Sequence, residues 1–165
     1  MTRSMVEIDD LLKSDKSLYG NPEWVEDGAK AILKSAIVDP RGIVLGGLSL
    51  SLWADVSTIT QRGGGALVLG NHAIQRISYL PNHSHKNDNA FPTPPELRLR
   101  SLPADRSRVY LWKNNRAWPI QPNLRAGLVL DQEPASLTAA FELFLESCAI
   151  DAYLPNPPHR PMLEL

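Results

Sequence analysis

Cysteine is almost missing from this chain. Cys148 stands alone, so no intrachain disulfide is possible, as expected of a protein kept in a reducing cytoplasm. No apolar run reaches the roughly 18 residues that a membrane helix needs. Met1-Thr2-Arg3-Ser4 leads into Val6-Glu7-Ile8-Asp9-Asp10 rather than an apolar segment, which does not read as a signal peptide. Neither an internal repeat nor a heptad run is present. Gly63-Gly64-Gly65 is followed by no Lys-Ser or Lys-Thr pair, so it is not a nucleotide phosphate loop and reads as a flexible tip. Histidine is scarce too, at four residues.

What is there describes a globular chain. Of 165 residues, 43% are apolar and 21% charged, the proportions of a domain that buries a core. We expect one domain over residues 1–154 and a proline-rich tail, Pro155-Asn156-Pro157-Pro158-His159-Arg160-Pro161, within residues 155–165. The net charge of −1 hides a segregation. Residues 1–27 carry seven acids and three bases, and residues 131–165 six acids and one base. Between them, Arg98, Arg100, Arg106, Arg108, Lys113, Arg116 and Arg125 face only Asp105. A basic middle between acidic ends implies either a surface for a polyanion or charge complementarity within the chain.

The hydrophobic pattern predicts strands followed by a helix. Val6 to Leu12 reads as a short amphipathic helix stopped at Gly20-Asn21-Pro22. Ala31 to Val38 reads as a strand ending in the turn Asp39-Pro40-Arg41-Gly42. Leu48, Leu50 and Leu52 alternate with Ser49, Ser51 and Trp53 at the period of a half-buried strand. Ala66–Leu69 and Ile74–Leu80 form a hairpin around Gly70-Asn71-His72. Leu97–Ser101 and Ser107–Trp112 are the next expected pair, with a third short strand at Ala117–Ile120. Leu137, Phe141, Phe144, Leu145 and Cys148 recur at helical spacing, predicting a helix over 136–150. The expected fold class is therefore α+β: a meander-like antiparallel sheet covered on one face by a C-terminal helix, with a short N-terminal helix. Cys148 falls on the buried stripe and reads as a small core residue. The tryptophans Trp24, Trp53 and Trp118 read as packing, and His72 and His159 as turn and tail residues.

Two places carry chemistry. On the expected 97–112 hairpin, alternation puts Arg98, Arg100, Arg106 and Arg108 on one face with Tyr110 and Trp112. Like charges repel across strands, and an anion covering them relieves that repulsion. The interleaved rings suit stacking on bases, so the face reads as an RNA-binding surface. An acidic protein partner and a plain solvated face are the other readings. The second place is Asn82-His83-Ser84-His85-Lys86-Asn87-Asp88. Residues two apart in an extended segment share a side, so His83 and His85 can converge on one phosphodiester. Unperturbed imidazole titrates near pH 6.5, suited to taking and giving protons, with Lys86 or Arg76 stabilising developing negative charge. A second reading makes His83, His85 and Asp88 metal ligands, although a full ligand set is not evident. A third is a solvated loop without chemistry.

Four segments carry a resemblance. They are Arg76-Ile77-Ser78-Tyr79, His83-Ser84-His85-Lys86-Asn87, Tyr110-Leu111-Trp112 with Ala117-Trp118-Pro119, and Phe144-Leu145-Glu146-Ser147-Cys148-Ala149-Ile150. Together they resemble small bacterial proteins of mobile elements related to TumE-like toxins of toxin–antitoxin loci, over the last two-thirds of the chain. The resemblance implies a part in conflict between bacteria, phages and plasmids, and a cognate antitoxin as partner. That pattern often has a second histidine pair before the late strand. Here the place reads Ser107-Arg108-Val109-Tyr110, which puts a two-pair site in doubt.

The expected function is a toxin-like or defence-associated protein acting on RNA by acid–base chemistry without metal or cofactor. Its catalytic set would be His83, His85, Lys86 and Arg76. The alternative is a non-catalytic binding module, an inhibitor or adaptor in a phage–host system, using the arginine face.

Overall fold

The computed structural model describes residues 4–162, so Met1-Thr2-Arg3 and the last three residues of the expected tail, 163–165, lie outside the described residues. The fold is α+β, as the pattern predicts. In chain order it runs α1 (Met5–Lys13), β1 (Ser17–Leu18), β2 (Val25–Asp27), β3 (Lys30–Val38), β4 (Val44–Asp55), β5 (Gly63–Leu69), β6 (His72–Tyr79), β7 (His85–Lys86), a 3-10 turn (Pro95–Leu97), β8 (Ser101–Leu102), β9 (Arg108–Tyr110), α2 (Trp112–Asn115), β10 (Leu128–Val129) and α3 (Leu137–Ser147). An antiparallel sheet has the order β1-β3-β4-β5-β6-β9-β10, with β2 also on β3, and β7 and β8 form a separate ribbon. No helix among the described residues is long and apolar enough to cross a membrane.

Local chemistry explains the element ends. Ser4 and Glu7 close a capping box at the start of α1, satisfying two backbone donors reciprocally. At its other end, the buried Lys16 ammonium donates to the carbonyls of Leu11 (2.6 Å) and Ser14 (2.5 Å). Between β3 and β4 the Asp39 carboxylate accepts from the amides of Arg41 and Ile43 at 2.9 and 3.0 Å, a side-chain substitute for backbone turn bonds. Gly70 takes φ +65 between β5 and β6, a conformation that costs glycine little.

Alternation along β3 to β6 then sorts the side chains. Leu33, Ile37, Leu48, Leu50, Leu52, Leu67 and Ile77 lie in one buried cluster with Phe141, Phe144 and Leu145 of α3 and with Cys148, its C-cap. The helix is capped by Ser136, whose hydroxyl accepts from the Ala139 amide at 3.1 Å. Gln75 ties sheet to helix end: its amide nitrogen donates to the Ser147 carbonyl at 3.1 Å and its oxygen accepts from the Trp112 amide at 3.2 Å. Cys148 is fully buried, and burial pushes its thiol up to about 11. Because the thiolate is the reactive form, Cys148 is expected to resist iodoacetamide at pH 7.5 in folded protein and to alkylate fully in denaturant. Rapid labelling under native conditions would contradict this packing.

The glycine run and the second half of the chain depart from the expected elements. Gly63-Gly64-Gly65 is no flexible tip but the start of β5. A Cβ at Gly63 would stand 2.7 Å from the Trp53 carbonyl oxygen, and one at Gly64 2.9 Å from that of Ile77. The glycines are therefore demanded by packing. The 97–112 hairpin does not form. Leu97 ends a 3-10 turn, Ser101–Leu102 pairs with His85–Lys86, and Arg108–Tyr110 pairs with β6 and β10. Pro94 and Pro95 and the positive φ of Leu99 (60) and Asp105 (60) interrupt the extended run. The expected third strand, Ala117–Ile120, is irregular. Pro119 cannot donate to a ladder, and the Asn115 side chain bonds the backbone of Leu111, Arg125 and Ala126 instead. The tail is extended and docked: Trp24 Nε1 donates to the Pro155 carbonyl (2.8 Å), Arg160 N to Val56 (2.7 Å) and Met162 N to Ser57 (3.1 Å).

Candidate anion-binding cavity

The sheet face turned away from α3 carries two cross-strand rows. Register places Ser51, Ala66, Arg76 and Tyr110 side by side, and next to them Trp53, Gly64, Ser78 and Arg108. Neighbouring strands lie about 4.8 Å apart, so each row spans four strands. The small residues stand in the middle. Gly64 admits no side chain, since a Cβ there would sit 2.8 Å from Trp53 Nε1 and 2.9 Å from the Ile77 carbonyl. The result is a cavity of about 330 Å³ on β4, β5, β6 and β9, joined at its rim by His83. That volume is at the small end of ligand sites.

Its lining is rich in unspent donors. The Arg76 guanidinium lies 4.1 Å over the Tyr110 ring, a cation–π contact, and its Nε is buried without a partner. Arg108 is only 1% exposed. It donates through Nη2 to the His83 carbonyl (3.2 Å) and weakly through Nη1 to Leu102 (3.5 Å), leaving Nε unpartnered. Among the described residues neither arginine pairs with a carboxylate. Among the described residues no Asp or Glu lines the cavity. The Trp53 indole N–H and the Ser51 and Ser78 hydroxyls also line it, and none of them has a hydrogen-bond partner among the described residues. Two uncompensated guanidinium charges in a partly desolvated place are costly. An anion entering the cavity supplies the missing acceptors.

The structure distributes the expected site residues unequally. Arg76, Arg108 and Tyr110 meet in this cavity with His83. His83 is exposed, its Nδ1 donating to Asn82 Oδ1 at 3.2 Å. His85 does not line the cavity. It donates through Nε2 to the Arg125 carbonyl at 2.7 Å and sets its ring edge on Tyr110, centroids 5.5 Å apart. Lys86 is exposed on β7 and is also absent from the lining. Asp88, weighed as a metal ligand, pairs with Arg125 at 3.1 Å. Among the described residues no group of three or more His, Cys, Asp or Glu side chains is placed to hold a metal ion.

The single arginine face dissolves with the hairpin. Arg98 donates to the Thr93 carbonyl at 3.0 Å, Arg100 is exposed, and Arg106 lies 3.7 Å from Glu133. Trp112 is buried in the core cluster, its indole N–H donating to Asp9 at 2.8 Å. Much of the basic segment is spent within the chain: Arg116 pairs with Asp9 at 2.6 Å, holding that carboxyl below its ordinary range. Trp53, Ser51, Ser78 and Gly64 were not foreseen as site residues. Their signal is the small, polar phase of the β4 alternation and the otherwise unexplained glycine run.

No family model, curated protein or solved structure matches the chain.

Proposed function

We propose that this chain recognises a phosphate group of RNA in the Arg76–Arg108 cavity, and that this recognition underlies the toxin-like or defence-associated action implied by its sequence. One observation carries the reading. Two guanidinium groups share a small cavity with an indole N–H and two hydroxyls, all without an acidic partner. Phosphate offers several acceptor oxygens and the compensating charge, and guanidinium is the side chain best matched to it. Trp53, half-buried at the cavity wall, carries the Lys30 ammonium 4.3 Å over its ring, which adds a cation beside the cavity.

Among the described residues His83 is the one imidazole lining the cavity. A lone imidazole at the rim can contact a bound phosphate oxygen but supplies only one of the two proton-transfer groups the reaction needs. A pair of imidazoles is not assembled there, because His85 is committed to the Arg125 carbonyl. That favours the non-catalytic binding module over the two-histidine reaction.

Arg76→Gln tests the proposal. The Arg76 side chain makes no hydrogen bond or ion pair among the described residues, so the change should cost no more than its cation–π contact with Tyr110, about 0.5–2 kcal/mol. Hydrogen bonds to charged groups contribute about 1.5–3 kcal/mol, which corresponds to roughly 10- to 100-fold in affinity. Fluorescence anisotropy with a labelled short oligoribonucleotide at low salt should show that loss. Equal binding by wild type and variant, or no binding by wild type, would remove the proposal.

A further inference from the structure

The cavity does not end at Ser51. A shallower trough of about 660 Å³ shares that residue and runs on over β4 and β3, past Ser49, Val68 and Ala36 to Lys34. Register makes the continuity plain. Lys34 pairs with Ser51, Ser51 with Ala66, and Ala66 with Arg76, so one row of side chains crosses from β3 to β6 on a single face. The parallel row is Ala36, Ser49 and Val68. Between the two charged ends the side chains are small, and α3 covers only the opposite face. Among the described residues neither lining contains an Asp or Glu. Lys34 is exposed, and among the described residues its ammonium has no hydrogen bond or ion pair.

We propose that this trough is the path of a single-stranded oligoribonucleotide. One phosphate is anchored between Arg76 and Arg108, and the strand extends past Ser51 until a later phosphate meets Lys34. The inference rests on reading the cavity as a phosphate site. Charge complementarity selects a polyanion: among the described residues the path is basic at both ends and free of acids along its length. Burial selects a single strand. Arg108 is almost wholly enclosed, so a phosphate must descend into the cavity to reach it, which a flexible strand can do and the rigid edge of a duplex cannot. Three strand spacings separate β6 from β3, about 14 Å. At roughly 3.4 Å per stacked nucleotide, that holds about four nucleotides, and fewer if the strand is stretched.

The test is a length ladder: uridine monophosphate, then oligouridylates of two to six nucleotides, titrated calorimetrically at constant low salt. Affinity should rise with length to about four nucleotides and then level off. Lys34→Glu should weaken the tetramer by roughly tenfold or more and leave the monophosphate unchanged. Ser49→Phe, which fills the trough without touching the cavity, should erase the gain with length. A self-complementary duplex of equal charge should compete poorly. If the monophosphate binds but length adds nothing, the path is wrong and the phosphate cavity stands. If length adds affinity that neither variant reduces, the strand runs elsewhere. If neither monophosphate nor tetramer binds, the path and the phosphate reading both fall.

Discussion

Phe144→Ala is expected to lower the free energy of unfolding by about 3–5 kcal/mol, the cost of deleting a large buried side chain and leaving a cavity. Phe144 is 1% exposed and sits in the cluster that joins α3 to the sheet strands. Its loss cannot be repaired by a small shift of the helix. Ser136 caps one end, and the Gln75 amide holds the Ser147 carbonyl at the other. Leu137 is also wedged against Gly63. Urea unfolding followed by tryptophan fluorescence measures the change. A loss under about 1 kcal/mol would mean that α3 contributes little to the core. Domains of this size have a total stability of about 5–15 kcal/mol, so the variant should be visibly marginal.

The second large effect is on the ligand-bound protein. A ligand that binds only the folded state adds about 2.7 kcal/mol at a concentration 100 times its Kd. For a chain of this length each kcal/mol moves Tm by about 2–4 °C. Saturating oligoribonucleotide should therefore raise Tm by roughly 5–10 °C. Arg108→Gln should abolish that rise, because it removes the buried charge to which the phosphate responds. The variant's own Tm, measured without ligand, separates this from simple unfolding. A folded Arg108→Gln protein that still gains the full shift would place the ligand somewhere else on the surface.

The periodic elements were legible in the sequence. The stripe from Leu137 to Cys148 gave α3, and the Leu48–Leu50–Leu52 alternation gave the inward face of β4. In both cases the signal is a repeat that burial enforces over several turns or pleats. The same alternation held half of the site, since Ser49, Ser51 and Trp53 had to face away from the core. It could not say that this outward face would be hollow. The hollow depends on Gly64 and Ala66 lying across from Ser51 and Trp53, a matter of register between distant segments.

The arginines were misplaced for a related reason. Alternation grouped Arg98 and Arg100 with Arg108 on the assumption of a hairpin, and the backbone breaks at Leu99 and Asp105 left no periodic trace. Arg76 and Arg108 come together only because β9 skips its sequence neighbours and pairs with β6. His83 and His85 look equivalent in sequence. Only the folded chain brings the Arg125 carbonyl to one ring and the cavity to the other.

The pairing of β6 with β5 also bears on how faithfully the chain folds. Side chains in a strand change face with every residue, so a slip of one position exchanges the two faces completely. In β6 that exchange would send Arg76 and Ser78 beneath α3 and push Gln75, Ile77 and Tyr79 into water. The misaligned sheet would bury a charge with no partner and forfeit an apolar contact at the same stroke. Arg76 thus also penalises the wrong alignment of β6, and the same charge that lines the cavity disfavours the misregistered sheet.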